Sequence, residues 1–101
     1  MSAFDKWVDK INQTIKDPAK RKAAVRSVED LRAINVANYK KIEAELLNQG
    51  SPMYKYQASE SELKTLQNDF INLVKEVYHA NTKTHFDLVK YTTADEWKKI
   101  Q

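Results

Sequence analysis

Backbone breakers are scarce in this 101-residue chain: glycine occurs once, at Gly50, and proline twice, at Pro18 and Pro52. A chain with so few places to turn must be built from long uninterrupted elements. The segment Asn48-Gln49-Gly50-Ser51-Pro52 reads as a helix stop, with a residue free to take left-handed backbone angles ahead of a proline that cannot continue the helix. Asp17-Pro18 is the second boundary. The residue before a proline is pushed out of the helical region, whereas the proline itself suits the first position of the next helix.

Between these boundaries the apolar residues recur at helical spacing. Phe4, Trp7, Val8, Ile11 and Ile15 share one face of an N-terminal helix over about 3–16, with Ser2 as its cap. Ala24, Val28, Leu31, Tyr39, Ile42 and Leu46 make the stripe of a second helix over about 18–48. Val25, Val36 and Leu47 flank that stripe, and Asn35 lies in its middle as an expected buried amide. Leu63, Leu66, Phe70, Leu73, Val74, Val77 and Leu88 make the stripe of a third helix over about 60–91. Thr93 and Glu96 form a capping box for a short final helix carrying Trp97 and Ile100. The expected fold class is therefore all-α. An antiparallel hairpin of the two long helices is covered by the N-terminal amphipathic helix and the short C-terminal one, giving a three- to four-helix bundle in one domain, 1–101. A hairpin alone leaves part of each stripe wet, so a dimer or a stable partner is expected as well. A break near Asn35 or near Asn81 would convert the long hairpin into a more compact bundle.

The residue inventory narrows the chemistry. The chain has no cysteine, which removes disulfides, thiolate metal sites and cysteine nucleophiles. No serine or threonine has a histidine–acid pair at suitable spacing, and there is no glycine-rich phosphate loop. Glu76-Val77-Tyr78-His79 has the Glu-x-x-His spacing used in di-iron bundles, but those use it twice, with two further glutamates. His79 with Lys83 resembles the histidine phosphotransfer bundles over those five residues alone, and the glycine and lysine spacing of that family is missing. His85 reads as an ordinary core-edge histidine. The expectation is a non-enzymatic protein with no cofactor and no metal.

The net charge is +3, and all of the surplus falls in residues 18–34, where Lys20, Arg21, Lys22, Arg26 and Arg32 face only Glu29 and Asp30. Bases at a helix N-terminus oppose the macrodipole. With Lys16 they form a candidate anion-binding zone (Lys16, Lys20, Arg21, Lys22, Arg26), open to nucleic acid phosphates or an anionic membrane. The N-terminal helix, apolar on one side and lysine-rich on the other, either caps the hairpin or lies on a membrane surface. Met53, Tyr54 and Tyr56 crowd the loop after Gly50. With Trp7 and Trp97 they are the candidate partner-binding residues, since exposed aromatics are frequent anchors.

The leading functional expectation is a helical protein–protein interaction module, a subunit, adaptor or inhibitor. Binding to nucleic acid or an anionic membrane through residues 16–32 is the alternative. Tyr91-Thr92-Thr93-Ala94-Asp95 resembles the Tyr-x-x-x-Asp tail signal of the small helical-hairpin proteins of type VII secretion. That resemblance implies a secreted helical hairpin, although the family's Trp-x-Gly turn is absent around Gly50. No apolar run has the length of a membrane span and the first residues lack a signal-peptide pattern, so the expected location is cytoplasmic, with secretion by another route left open.

Overall fold

A computed structural model describes residues 2–101. It contains four α-helices and no strand among those residues: α1 Ala3–Thr14, α2 Pro18–Leu47, α3 Glu60–Tyr91 and α4 Ala94–Ile100. A single 3-10 turn, Pro52–Tyr54, lies in the loop between α2 and α3. The fold is an all-α bundle built on a long helical hairpin, and neither long helix breaks at Asn35 or Asn81.

Each helix starts where its sequence supplies partners for the orphan amides of the first turn. Ser2 and Asp5 form a reciprocal capping box on α1, and Thr93 with Glu96 does the same on α4. The Asp17 carboxylate accepts from the amides of Ala19 and Lys20, with Pro18 in the first helical position. The Ser59 hydroxyl accepts from the Glu62 amide, and Glu60 and Glu62 complement the α3 dipole.

The hairpin turn works differently from the sequence expectation. Gly50 does not adopt left-handed angles, and no described residue has positive φ. Instead α2 ends because Asn48 turns extended, and its side-chain oxygen accepts the Gly50 amide at 3.0 Å. The Ser51 amide donates back to the Asn48 carbonyl. An asparagine that satisfies the backbone two residues on replaces the glycine stop. Buried Ser51 then caps the 3-10 turn, with Pro52 in its first position.

The molecule is elongated, 59 × 24 × 19 Å, with a radius of gyration of 18.4 Å, against about 13 Å for a compact chain of this size. The reason is that α1 and α4 cover only one end of the hairpin. There Ile11, Ile15, Ala24, Val28, Leu88 and Ile100 form a closed core, with Phe4, Trp7, Val8, Val25, Tyr91 and Trp97 packed against it. A side-chain clasp marks the limit of α1: Arg32 Nη2 meets Asp5 Oδ1 at 2.6 Å, and the guanidinium lies over the Phe4 ring at 5.5 Å. At the other end the Lys16 amide donates to Glu96 across 80 residues of sequence, joining the α1–α2 link to α4. Beyond the clasp, α2 and α3 continue together as a bare two-helix prong.

The prong overturns part of the expected core. Tyr39 and Leu46 of the α2 stripe are exposed, as are Val36 and Leu47 beside it and Leu63 and Val74 on α3. Their spacing is that of a core face, but no helix reaches them. Asn35 is only half-buried and donates to the Leu31 carbonyl at 3.1 Å, one turn back. The buried amide is Asn38, one turn further on, whose nitrogen has no hydrogen-bond partner among the described residues.

Candidate functional site

The front of the hairpin is the face on which α1 and α4 lie. Along α3 it follows residues 67, 71, 74, 78, 81, 85 and 88, alternating steps of three and four that keep one helix face. Its C-terminal half is occupied. Leu88 is in the closed core, the His85 ring meets Trp97 edge-on at 5.1 Å, and Asn81 lines a hollow with Phe4, Trp7 and Ile100. Its N-terminal half is open. Val74 and Tyr78 keep 64% and 67% of their surface, and Ile71 keeps 42%. Leu63, Leu66, Phe70, Ile71 and Val74 line a groove of about 450 Å³, with Lys75 as its only charged wall residue. One continuous helical face thus changes from contacted to bare where α1 stops.

On α2 the same front carries Val36, Tyr39 and Ile42, which share a groove of about 680 Å³ with Phe4, Val77 and Asn81. The back of the hairpin is unlike it. There Lys41, Glu76, His79 and Lys83 line the cleft between the helices, with Asp30 a turn nearer the packed end. The back cleft carries three charged walls, Lys41, Glu76 and Lys83, where the α3 groove of the front carries Lys75 alone.

The loop sits at the far tip. Tyr56 is fully exposed, Tyr54 is half-exposed and donates its hydroxyl to the Leu46 carbonyl, and Met53 is half-buried beneath them. That bond satisfies a carbonyl in the last turn of α2 and holds the Tyr54 ring along the helix. Trp7 and Trp97, expected as partner contacts alongside them, are half-buried against the packed core. Their large apolar faces close the four-helix end, 41 and more residues away in sequence from the loop they were grouped with.

The basic zone divides by role. Arg21 donates to the Ile15 carbonyl at 3.4 Å, finishing α1. Arg32 is committed to the clasp with Asp5 and to Glu29 at 3.7 Å. Lys16 is exposed, although its backbone amide is held by Glu96. Lys20, Lys22 and Arg26 are exposed and enter no ion pair among the described residues. They lie at the packed end, as far from the aromatic tip as the sequence order implies.

Three carboxylates on or beside the packed end are held below their ordinary values. The Arg32 hydrogen bond, with help from Ser2, lowers the Asp5 carboxyl below its ordinary value. Backbone amides of Thr93 and Lys16 lower Glu96. The Lys83 ammonium, at 2.8 Å, lowers Asp87, which also accepts from Ser27 across the hairpin at 3.3 Å. Each is a carboxylate stabilised by donors, and none is raised toward a general acid. Among the described residues no three histidines, cysteines or acids converge on a metal position, and no helix is long and apolar enough to cross a membrane. The apolar side of α1, read as a membrane-binding face in one expectation, is turned onto the bundle.

No protein-family model, curated protein or solved structure matches this chain. Its class therefore rests on its own geometry, an all-α bundle with a closed four-helix end and an open two-helix prong. Ile71 and Tyr78 lie exposed on this face outside the apolar stripe expected for α3. The signal was present: together with Leu63, Leu66 and Phe70 they make the apolar arc of α3 wider than one partner helix can cover.

Proposed function

We propose that this chain is a non-enzymatic helical protein-binding module, whose contact surface is the apolar front of the prong together with the aromatic tip. The observation that carries the reading is the uncovered half of the α3 face, Leu63 to Tyr78. Contiguous exposed apolar surface of this kind marks interaction sites, because leaving it in water costs roughly 25 cal/mol for each Å². The packed end serves as the scaffold that fixes the prong. Tyr54 and Tyr56 supply the amphipathic rings that often dominate binding energy at an interface.

The test is native purification of the whole chain beside a Val74→Lys variant and a Tyr56→Ala variant, with circular dichroism as the control for folding. A protein that co-purifies with the wild type and is lost with Val74→Lys supports the reading. Equal recovery from all three sends the contact elsewhere.

A second reading follows from the unpaired bases at the packed end. Lys20, Lys22 and Arg26, with Lys16 nearby, form a surface for phosphate-bearing polymers or anionic lipid. Reversing Lys20, Lys22 and Arg26 to Glu abolishes such binding, and wild-type binding weakens steeply with salt. Retention that ignores salt rules this reading out. In either case the chain acts by contact, as a subunit, adaptor or inhibitor.

A further inference from the structure

We propose that Asn38 is a built-in weak point of the hairpin, at which the prong, residues 39–79, opens as a unit while the four-helix end stays closed. The device does not depend on what the prong binds.

The two long helices meet along a seam with coiled-coil spacing. On α2 it passes through Leu31, Asn35, Asn38 and Ile42, at alternating steps of four and three. On α3 it returns through Leu73, Val77, Ala80 and Thr84. Leu31 and Thr84 are the last buried side chains of the packed end. Beyond them, among the described residues, Asn38 is the one buried side chain on either long helix, at 4% exposure. The most buried contact between the helices of the prong is therefore made by an amide and not by an apolar group.

That amide is unsatisfied. Its nitrogen is sealed from water and has no hydrogen-bond partner among the described residues. Val77 and Ala80, which line the clefts on either side of Asn38 from α3, have no polar side-chain atom to offer. Asn35, Asn81 and Glu76 edge the same clefts, and none of them bonds it. Asn35 instead donates its own amide to the Leu31 carbonyl. A buried asparagine in a helix seam fixes register when a polar group faces it. Without one it weakens the contact, because a buried donor gives up its hydrogen bond to water and gains none in return.

Space points the same way. A groove of about 680 Å³ in front and a cleft of about 500 Å³ behind both reach Asn38, so the pair is hollowed from two sides at this level. Phe4, at the start of α1, shares the front groove, which puts the weak contact where the cover ends. Toward the packed end the seam is backed by α1 and α4 and by the Ser27–Asp87 bond across the hairpin. Toward the tip, α2 and α3 hold each other alone. Separation beyond Asn38 bares Ile42, Leu73 and Val77, which the closed prong half-buries. The prong thus has a closed and an open state, with one residue biasing the balance.

The experiment is amide hydrogen exchange of the dilute whole chain in wild type, Asn38→Leu, Asn38→Asp and Leu88→Ala. In wild type the amides of residues 42–47 and 62–76 are expected to open together, with one common protection. Asn38→Leu, for which the two clefts leave room, is expected to slow both groups about tenfold, at the tip as much as beside the substitution. Asn38→Asp buries a charge in the same place and is expected to speed the same two groups. Leu88→Ala is expected to speed residues 84–90 and to leave both prong groups at wild-type rates. Prong amides that ignore Asn38→Leu, or exchange faster in it, overturn the weak point. Amides of residues 62–66 that ignore both substitutions at position 38 while those near residue 76 respond mean fraying from the tip, and overturn opening as a unit. Prong amides that speed up in Leu88→Ala open only with the whole molecule, and that result also overturns the device.

Discussion

The two halves of the hairpin have nearly the same ingredients and opposite fates. Both present apolar residues at three- and four-residue steps on the same faces of the same two helices. At the packed end Leu88 and Val28 lose all of their exposure, whereas at the prong Tyr39 keeps 66%. The difference lies in what covers them. α1 is 12 residues long and α4 is seven, and α1 is pinned by the Arg32–Asp5 clasp about halfway along the hairpin. An apolar stripe states that a helix wants a neighbour; it does not state that the same chain provides one.

The largest effect that sharpens this contrast comes from truncating matched leucines. Leu88→Ala removes a fully buried side chain and is expected to cost about 2–5 kcal/mol of unfolding free energy. Leu63→Ala, measured on dilute chain, is expected to stay within about 0.5 kcal/mol of wild type, as exposed substitutions do. Urea melts of the pair check both, and equal losses would mean that the prong is as tightly packed as the other end. Next in size is the difference in amide exchange. In dilute protein the amides of residues 62–76 are expected to exchange through local opening, while those of residues 84–90 wait for global unfolding. Mass spectrometry or NMR resolves the two, and uniform protection would erase the boundary drawn at the clasp.

A smaller effect tests α4 as a lid. Thr93→Ala removes the hydroxyl that accepts the Glu96 amide at 3.2 Å, with an expected loss of about 1 kcal/mol. Because Ile100 belongs to the closed core, that loss should appear in the global melt and not as local fraying.

The smallest effect concerns acid. Asp5, Glu96 and Asp87 all have lowered carboxyl pKa values, caused chiefly by Arg32, by the Thr93 amide and by Lys83 respectively. A lowered folded-state value means stability that is present above the unfolded value and lost as pH falls through the folded one. The window therefore opens below the ordinary carboxylate range of about 4. All three groups sit at the packed end, so the near-ultraviolet signal of Trp7 and Trp97 should change there before helicity falls. The clasp is only partly buried, and salt should shrink this effect.

Much of the architecture was legible in residue order because helix boundaries depend on local chemistry. Ser2 with Asp5, Asp17-Pro18, Ser59 and Thr93 with Glu96 each satisfy a first turn from within a few residues. Gly50 misled because a glycine permits left-handed angles without requiring them, and Asn48 offered the backbone a partner first. The reach of α1 along the hairpin could not be read from periodicity, since Tyr39 and Val28 carry the same signal. It depends on tertiary pairings such as Arg32 with Asp5, separated by 27 residues. Hence the placement of Trp7 and Trp97 against the core, and the emergence of Ile71 and Tyr78 on a bare face, became visible only with the third dimension. The all-apolar width of α3 was the one trace of it in the residue order.

The Tyr54 tie to Leu46 spans eight residues, the Ser27–Asp87 bond spans 60, and the Lys16–Glu96 bond spans 80. Closing a chain segment costs entropy that rises with its length, so early contacts in folding favour short loops. The order of assembly thus runs opposite to the order of stability. Between α2 and α3 the hairpin should begin to zip at its exposed tip and close last at the four-helix end, so that the least protected contacts between the two long helices are the first of them to form.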